Sequence, residues 1–185
     1  MKRYSKIKFA DVAFKYRMGA GFQGDVNRMH PAEIEAALIL ASSPPTAYGQ
    51  FVMVNATGNA VRPLAATEQS NTNLFTPFGV TVRPFPLQTP QGAGNSQGLG
   101  VATPPVTGVI DVLRNGMILT ILNDVTQLPV KGQSIWIWCA ATSGVHTQGG
   151  IEVTSSAGNT VQLDSRYTFN GPPDANGIVE ISVNV

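Results

Sequence analysis

The sequence predicts an all-β fold, a small barrel or sandwich with a basic N-terminal arm. Three observations predict it. Short apolar runs recur about every ten residues, with Gly, Pro and Asn turns between them. Helical periodicity is confined to one short stretch. Charge is sparse over the body and concentrated at the N-terminus.

The 185 residues suit one domain. A chain of this size buries roughly 70% of its unfolded surface, so it needs no disulfide or metal to fold. Hydrophobic residues make up 43%, which argues against a wholly disordered chain. Only 12% are charged, about half the usual quarter. A polar, weakly charged surface suits close packing against other subunits, or a neutral surface β-protein. Cys139 is the single cysteine, so no internal disulfide forms, and its apolar surroundings predict a buried thiol. No run reaches the ~18 apolar residues of a membrane helix. No apolar stretch follows Lys8 as a secretory signal requires. The expectation is a protein made in the cytoplasm and soluble until it meets its partner.

Residues 1–28 read as an arm. They hold seven basic residues against two acidic ones, a net +5. The remainder holds five against nine, a net −4. A basic arm on a slightly acidic body is built for electrostatic docking. Lys2, Arg3, Lys6, Lys8, Lys15 and Arg17 alternate with Tyr4, Phe9, Phe14 and Tyr16. That mixture is too aromatic for a solvated tail and lacks any nucleic-acid signature. It fits an arm that orders on a partner protein. The plainer reading is a first strand with lysines facing water. The Gly-rich stretch from Met18 to Gly24 links it to a single β-rich body, residues 29–185.

Residues 31–41 give the one helical signal. Pro31 suits a first helical position, Glu33 and Glu35 lie near the positive end, and Ile34 and Leu38 are four apart. Ser42-Ser-Pro-Pro45 would stop a short helix, although tertiary context could extend the segment. Gln50–Asn55 reads as a strand before the turn at Thr57-Gly-Asn59. Phe78–Arg83 is another, ended by Pro84 and Pro86. A long loop at 88–105 follows, with Gln91, Gly92, Asn95, Gln97 and Leu99 as candidate contact residues. Asn115-Gly116, inside the apolar run Val109–Leu122, predicts a hairpin with a type I′ turn. Neither flank alternates cleanly, which points to cover on both faces. Lys131-Gly132 is a turn, and Ile135–Trp138 a strand with both tryptophans on one face. Ile151–Thr154 and Thr160–Leu163 flank Ser156–Asn159 as a second hairpin. Asp174–Gly177 turns into a last strand, Ile178–Val183.

Chemistry is thin. His30 and His146 have no metal-ligand spacing and read as structural or surface residues. Ser96 sits in a Gly-x-Ser-x-Gly match, but loop flanks it on both sides where the elbow needs strand and helix. Asp111 and Asp124 read as solvated strand-edge charges. Gly98-Leu-Gly100 lacks the Gly-Lys-Ser/Thr of a phosphate loop. Asp174–Gly177 begins like a calcium loop, but the final acid would fall on Val185. The expectation is a protein with no catalytic, metal or cofactor site. Trp136 and Trp138 could stack on a sugar or pack in the core.

The order of segments resembles the structural cement or head-decoration proteins of tailed bacteriophages. It is carried by Gly24–Arg28, Ser43–Gly49, Gly79–Phe85, the Gly-rich loop, Val109–Leu119 and Asp174–Glu180. It covers most of residues 24–185. The resemblance implies a β-barrel or β-tulip body with extended arms on the outer surface of the phage head. It implies the major capsid protein as partner, self-association as a trimer or dimer, and no nucleic-acid, membrane or small-molecule partner. The competing readings are a tail, fibre or head-fibre base protein, a carbohydrate-binding module, and an enzyme using Ser96.

Overall fold

The computed structural model describes residues 21–27, 31–66, 68, 74–84 and 103–184. The fold is all-β. Ten strands run in chain order: β1 Glu33–Leu38, β2 Phe51–Val54, β3 Val61–Pro63, β4 Gly79–Thr81, β5 Val109–Ile121, β6 Trp136–Trp138, β7 Ile151–Glu152, β8 Thr160–Gln162, β9 Tyr167–Phe169 and β10 Ile178–Asn184. One sheet follows the order β3-β2-β4-β5-β10-β9, with β1 also on β5. A smaller sheet follows β7-β6-β8.

Single bridges curl these sheets. Ile39 bridges Val61, which joins the end of β1 to β3 and closes a ring through β5, β4 and β2. Leu122 bridges Ile151 and Ser134 bridges Thr168, which ties the smaller sheet to the far half of β5 and to β9. Such bridges shorten the exposed edges, the usual answer to edge exposure in small β-proteins, and leave the first half of β1 paired on one side only among the described residues.

β5 is the spine. Its burial pattern puts Val112 into one core and Leu113 into another. The smaller core lies inside the ring and holds Ile39, Val52, Val61, Ile110 and Val112. The larger packs Phe51, Leu113 and Ile118 against Ile135, Ile137, Tyr167, Phe169 and Ile181. Each such side chain contributes about 1.5–3 kcal/mol on burial. Phe51 and Tyr167 meet edge to face at 5.7 Å. The expectation of cover on both faces of Val109–Leu122 holds at Val112-Leu113 and Ile118–Thr120, whereas Val109, Asp111 and Ile121 are exposed.

Three expectations need correction. Residues 31–41 form no helix, because β1 pairs antiparallel with β5 from Glu33 to Leu38. Ile34, Ala36 and Leu38 also satisfy a period of two, and tertiary pairing overrides a weak helical preference.

The hairpin at Asn115-Gly116 is absent too. β5 runs through both residues and its halves never pair with each other. The strand does bend there. Val82 N donates to Asp111 O, Arg83 N to Gly24 O and Gly24 N to Leu119 O. A straight strand would separate Asp111 and Leu119 by about 27 Å, too far for that relay. Only Gly116 takes a positive φ, at 134°, whereas a type I′ turn needs two.

The third correction concerns 151–163. Ser156–Asn159 turns as expected, but β7 and β8 do not pair. β6 lies between them.

Candidate functional site

Two segments were expected to bind a partner, the arm and the 88–105 loop. Lys2, Arg3, Tyr4, Lys6, Lys8, Phe9, Phe14, Lys15, Tyr16 and Arg17 lie outside the described residues, as do Gln91, Gly92, Asn95, Gln97, Leu99, His30 and Ser96. The chain next to them is described, and the arm root meets the stem that precedes the loop.

The arm root is Gly21–Asn27. It lies along the second half of β5, with Asn27 N donating to Met117 O and Leu119 N to Asp25 O. The loop leaves the body just beyond β4, at Arg83-Pro84. Arg83 N donates to Gly24 O at 2.9 Å, so one backbone bond joins the two roots. The side chains repeat the link. The Arg83 guanidinium lies 4.3 Å above the Phe22 ring and 3.6 Å from Asp25 Oδ1. The Arg83 side chain, guanidinium included, is almost wholly covered while Phe22 stays about half exposed. A cation–π contact of this kind contributes about 0.5–2 kcal/mol.

Small residues allow this convergence. A Cβ at Gly24 would sit 2.5 Å from Tyr48 Cβ and 3.1 Å from Arg83 Cβ. Burial raises the Tyr48 phenol above its ordinary range, and Arg83 partly opposes the shift. Behind the junction, Thr120 Oγ1 donates to Gly49 O at 2.7 Å and Gln50 N to Thr81 Oγ1 at 3.0 Å. These buried bonds fix the floor on which both roots rest.

A cleft of about 180 Å³ opens beside the junction, between Gln23, Gln50, Thr120, Asn123 and Gln148. Its lining is amide, hydroxyl, glycine and alkyl. It offers no acid, base or thiol.

The remaining candidates are structural. Cys139 is fully buried, and burial pushes its thiol up to about 12, with Glu68 adding in the same direction. His146 stacks on Trp138 at 4.3 Å, and its Nδ1 lies 2.7 Å from Glu152 Oε1. Trp138 is buried and donates from Nε1 to Ala141 O. The imidazole thus covers one face that a sugar would need. Trp136 is half-buried. Asp111 is exposed, and Asp124 is half-buried and bonds Thr126 and Gln127. Asp174 caps its turn by accepting from Asn176 N and Ile178 N. No group of three metal-ligating side chains occurs among the described residues. No described helix is long and apolar enough to cross a membrane. Sequence reasoning missed the Arg83–Phe22 clasp and the strands β3 and β9. The one signal for the clasp was an arginine closing an apolar strand just before the proline-rich loop.

A β-body with no clustered acid, base or metal ligands among its described residues defines the class of a structural protein. The comparisons give that class its family. The chain matches the family described as XM1 gp53 minor capsid protein over residues 10–183 and belongs to it. It is a structural protein of the phage virion. A chain in the solved structure "The capsid of Myoviridae Phage XM1" shares the fold, with a TM-score of 0.61 at 16% identity. The alignment covers 96% of this chain and 98% of that one. No curated protein matches.

Proposed function

We propose that the chain is a cement or decoration protein on the outer surface of the phage head, where it bridges neighbouring major capsid subunits. The observation that carries this reading is the junction at Arg83. There the described start of the body, Gly21–Asn27, and the described stem before the loop, Arg83-Pro84, lie side by side, which supports joint engagement of one surface by arm and loop. Lys2, Arg3, Lys6, Lys8, Lys15 and Arg17 supply charge, and Tyr4, Phe9, Phe14 and Tyr16 supply apolar area. Gln91, Gly92, Asn95, Gln97 and Leu99 supply the loop contacts. Each contact is weak alone. Engagement of one segment raises the effective concentration of the other, by a gain of about 10²–10⁴ in avidity.

The role requires copy numbers in purified virions comparable to the major capsid protein. Quantitative mass spectrometry of intact particles measures this. A few copies confined to a tail structure would overturn the reading. Removal of residues 1–20 should leave a folded body that binds empty heads at least ten-fold more weakly. Unchanged binding would take the arm out of the mechanism.

A further inference from the structure

From Glu33 to Ala37, β1 presents one edge that no described strand covers. Among the described residues it pairs with β5 on one side only, apart from the bridge at Ile39 just past its end. Ile39 N donates to Gly108 O, on the β5 side. By alternation, the backbone groups of Ile34 and Ala36 face the other way, into the free edge, whereas at Leu38 the Ile39–Val61 bridge and the bond from Leu40 N to Val61 O bring β3 alongside. Such an edge is a template for a further strand.

Its two faces differ. Ile34 and Leu38 are 47% and 55% exposed, and Val109, cross-strand from Leu38, is 57% exposed. This face is an uncovered apolar stripe. Glu33 and Glu35 lie on the other face, both exposed. A strand that completed this edge would carry apolar residues on one face and cations on the other. The arm contains two, Lys6-Ile7-Lys8-Phe9 and Phe14-Lys15-Tyr16-Arg17, and the first stands further from the root and so has the longer reach. In Lys6-Ile7-Lys8-Phe9, Ile7 and Phe9 share one parity and Lys6 and Lys8 the other.

We propose that the free edge of β1 takes residues 6–9 of a second copy of this chain as an added strand. Ile7 and Phe9 cover Ile34, Leu38 and Val109. Lys6 and Lys8 face Glu33 and Glu35.

The arm root favours a second copy over the chain's own arm. Gly21–Asn27 lies on the edge of β5 opposite β1, since odd-numbered β5 residues bond the root and β4 while Leu122 bonds Gly177 on the β10 side. The root sits against β4 and the start of β2, strands that are not neighbours of β1 in the ring. To reach its own β1 the arm would have to turn back around the barrel. The residues before Gly21 span up to about 65–70 Å when extended, enough to cross to a neighbour. The contact is head-to-tail, which closes a ring when the rotation permits. It goes beyond shell binding: in the assembled oligomer Lys6, Lys8 and Phe9 serve the sister subunit, and the remaining arm residues and the loop serve the shell.

The test uses the full chain with Ile7→Cys and Ala36→Cys, cross-linked by mild oxidation, alongside sedimentation of unmodified protein. Buried Cys139 does not compete. The proposal expects an oligomer, with the disulfide between chains on a non-reducing gel. A disulfide within one chain overturns it. Ala36→Pro removes a donor from the free edge alone, and Lys6→Glu with Lys8→Glu reverses the strand's charge. Both should give monomers with unchanged thermal midpoints. Should Ala36→Pro unfold the body, the charge variant carries the test. Mixing the charge variant with Ala36→Pro should restore a one-to-one dimer, because one supplies an edge and the other an arm. An oligomer indifferent to both changes overturns the proposal. So does a monomeric wild type whose binding to empty heads is lost on Ala36→Pro, which would give the edge to a capsid chain.

Discussion

Gly116 sits where Pro31 and Ala32 lie over β5. A Cβ there would meet Ala32 Cβ at 3.2 Å and Pro31 O at 3.3 Å, on a backbone with φ of 134°. Its neighbour Asn115 is exposed, and no residue other than glycine takes a positive φ among those described. Two substitutions should therefore part company in thermal denaturation. Gly116→Val should destabilise by on the order of 2–5 kcal/mol, from backbone strain and overpacking together. Asn115→Val should stay within about 0.5 kcal/mol. Equal losses would restore the hairpin turn that the sequence suggested. Cys139 gives a second check. With its thiol pushed up to about 12 by burial, a thiol reagent at neutral pH should label it only as fast as the protein unfolds. Rapid labelling of folded protein would place it at the surface.

Among the elements, the arm root is held by backbone bonds to β5 and by one side chain that reaches it from just beyond β4. Arg83 joins Phe22, Asp25 and the loop stem. Arg83→Ala should cost about 1–2 kcal/mol and speed amide exchange at Gly24 and Asp25, leaving β9 and β10 protected. Equal exchange throughout would mean that the clasp does not hold the root. Other elements were legible for simple reasons. β2, β4, β6 and β10 announced themselves because β-branched and aromatic runs were bounded by turn residues. β1 was misread because its polar–apolar pattern satisfies periods of both two and nearly four. β3 was missed because three residues give no period at all.

At the scale of the whole molecule, β5 couples the two cores. Ile110 faces the core inside the ring, and Leu113 faces the larger one. Ile110→Ala and Leu113→Ala should each cost about 2–5 kcal/mol and shift one shared unfolding transition. Two separate transitions in calorimetry would make the cores independent units. The class of function was legible at this scale because low charge and the absence of any clustered chemistry are properties of composition. The site itself was only half legible. Arm and loop stood out by composition, but their meeting at Arg83 joins residues about sixty apart in the chain, and no local pattern encodes such a contact.

The sequence by itself determined that this is an all-β chain with a basic, aromatic arm and a buried lone thiol. Turn residues, alternation and charge act over a few neighbours, so they are written locally. Tertiary structure alone decided that Asn115-Gly116 bends one strand and does not join two. It also decided that β6 separates β7 from β8, and that β1 is a strand with an open edge. Those outcomes depend on which strands find backbone partners, and a strand's partner lies elsewhere in the chain.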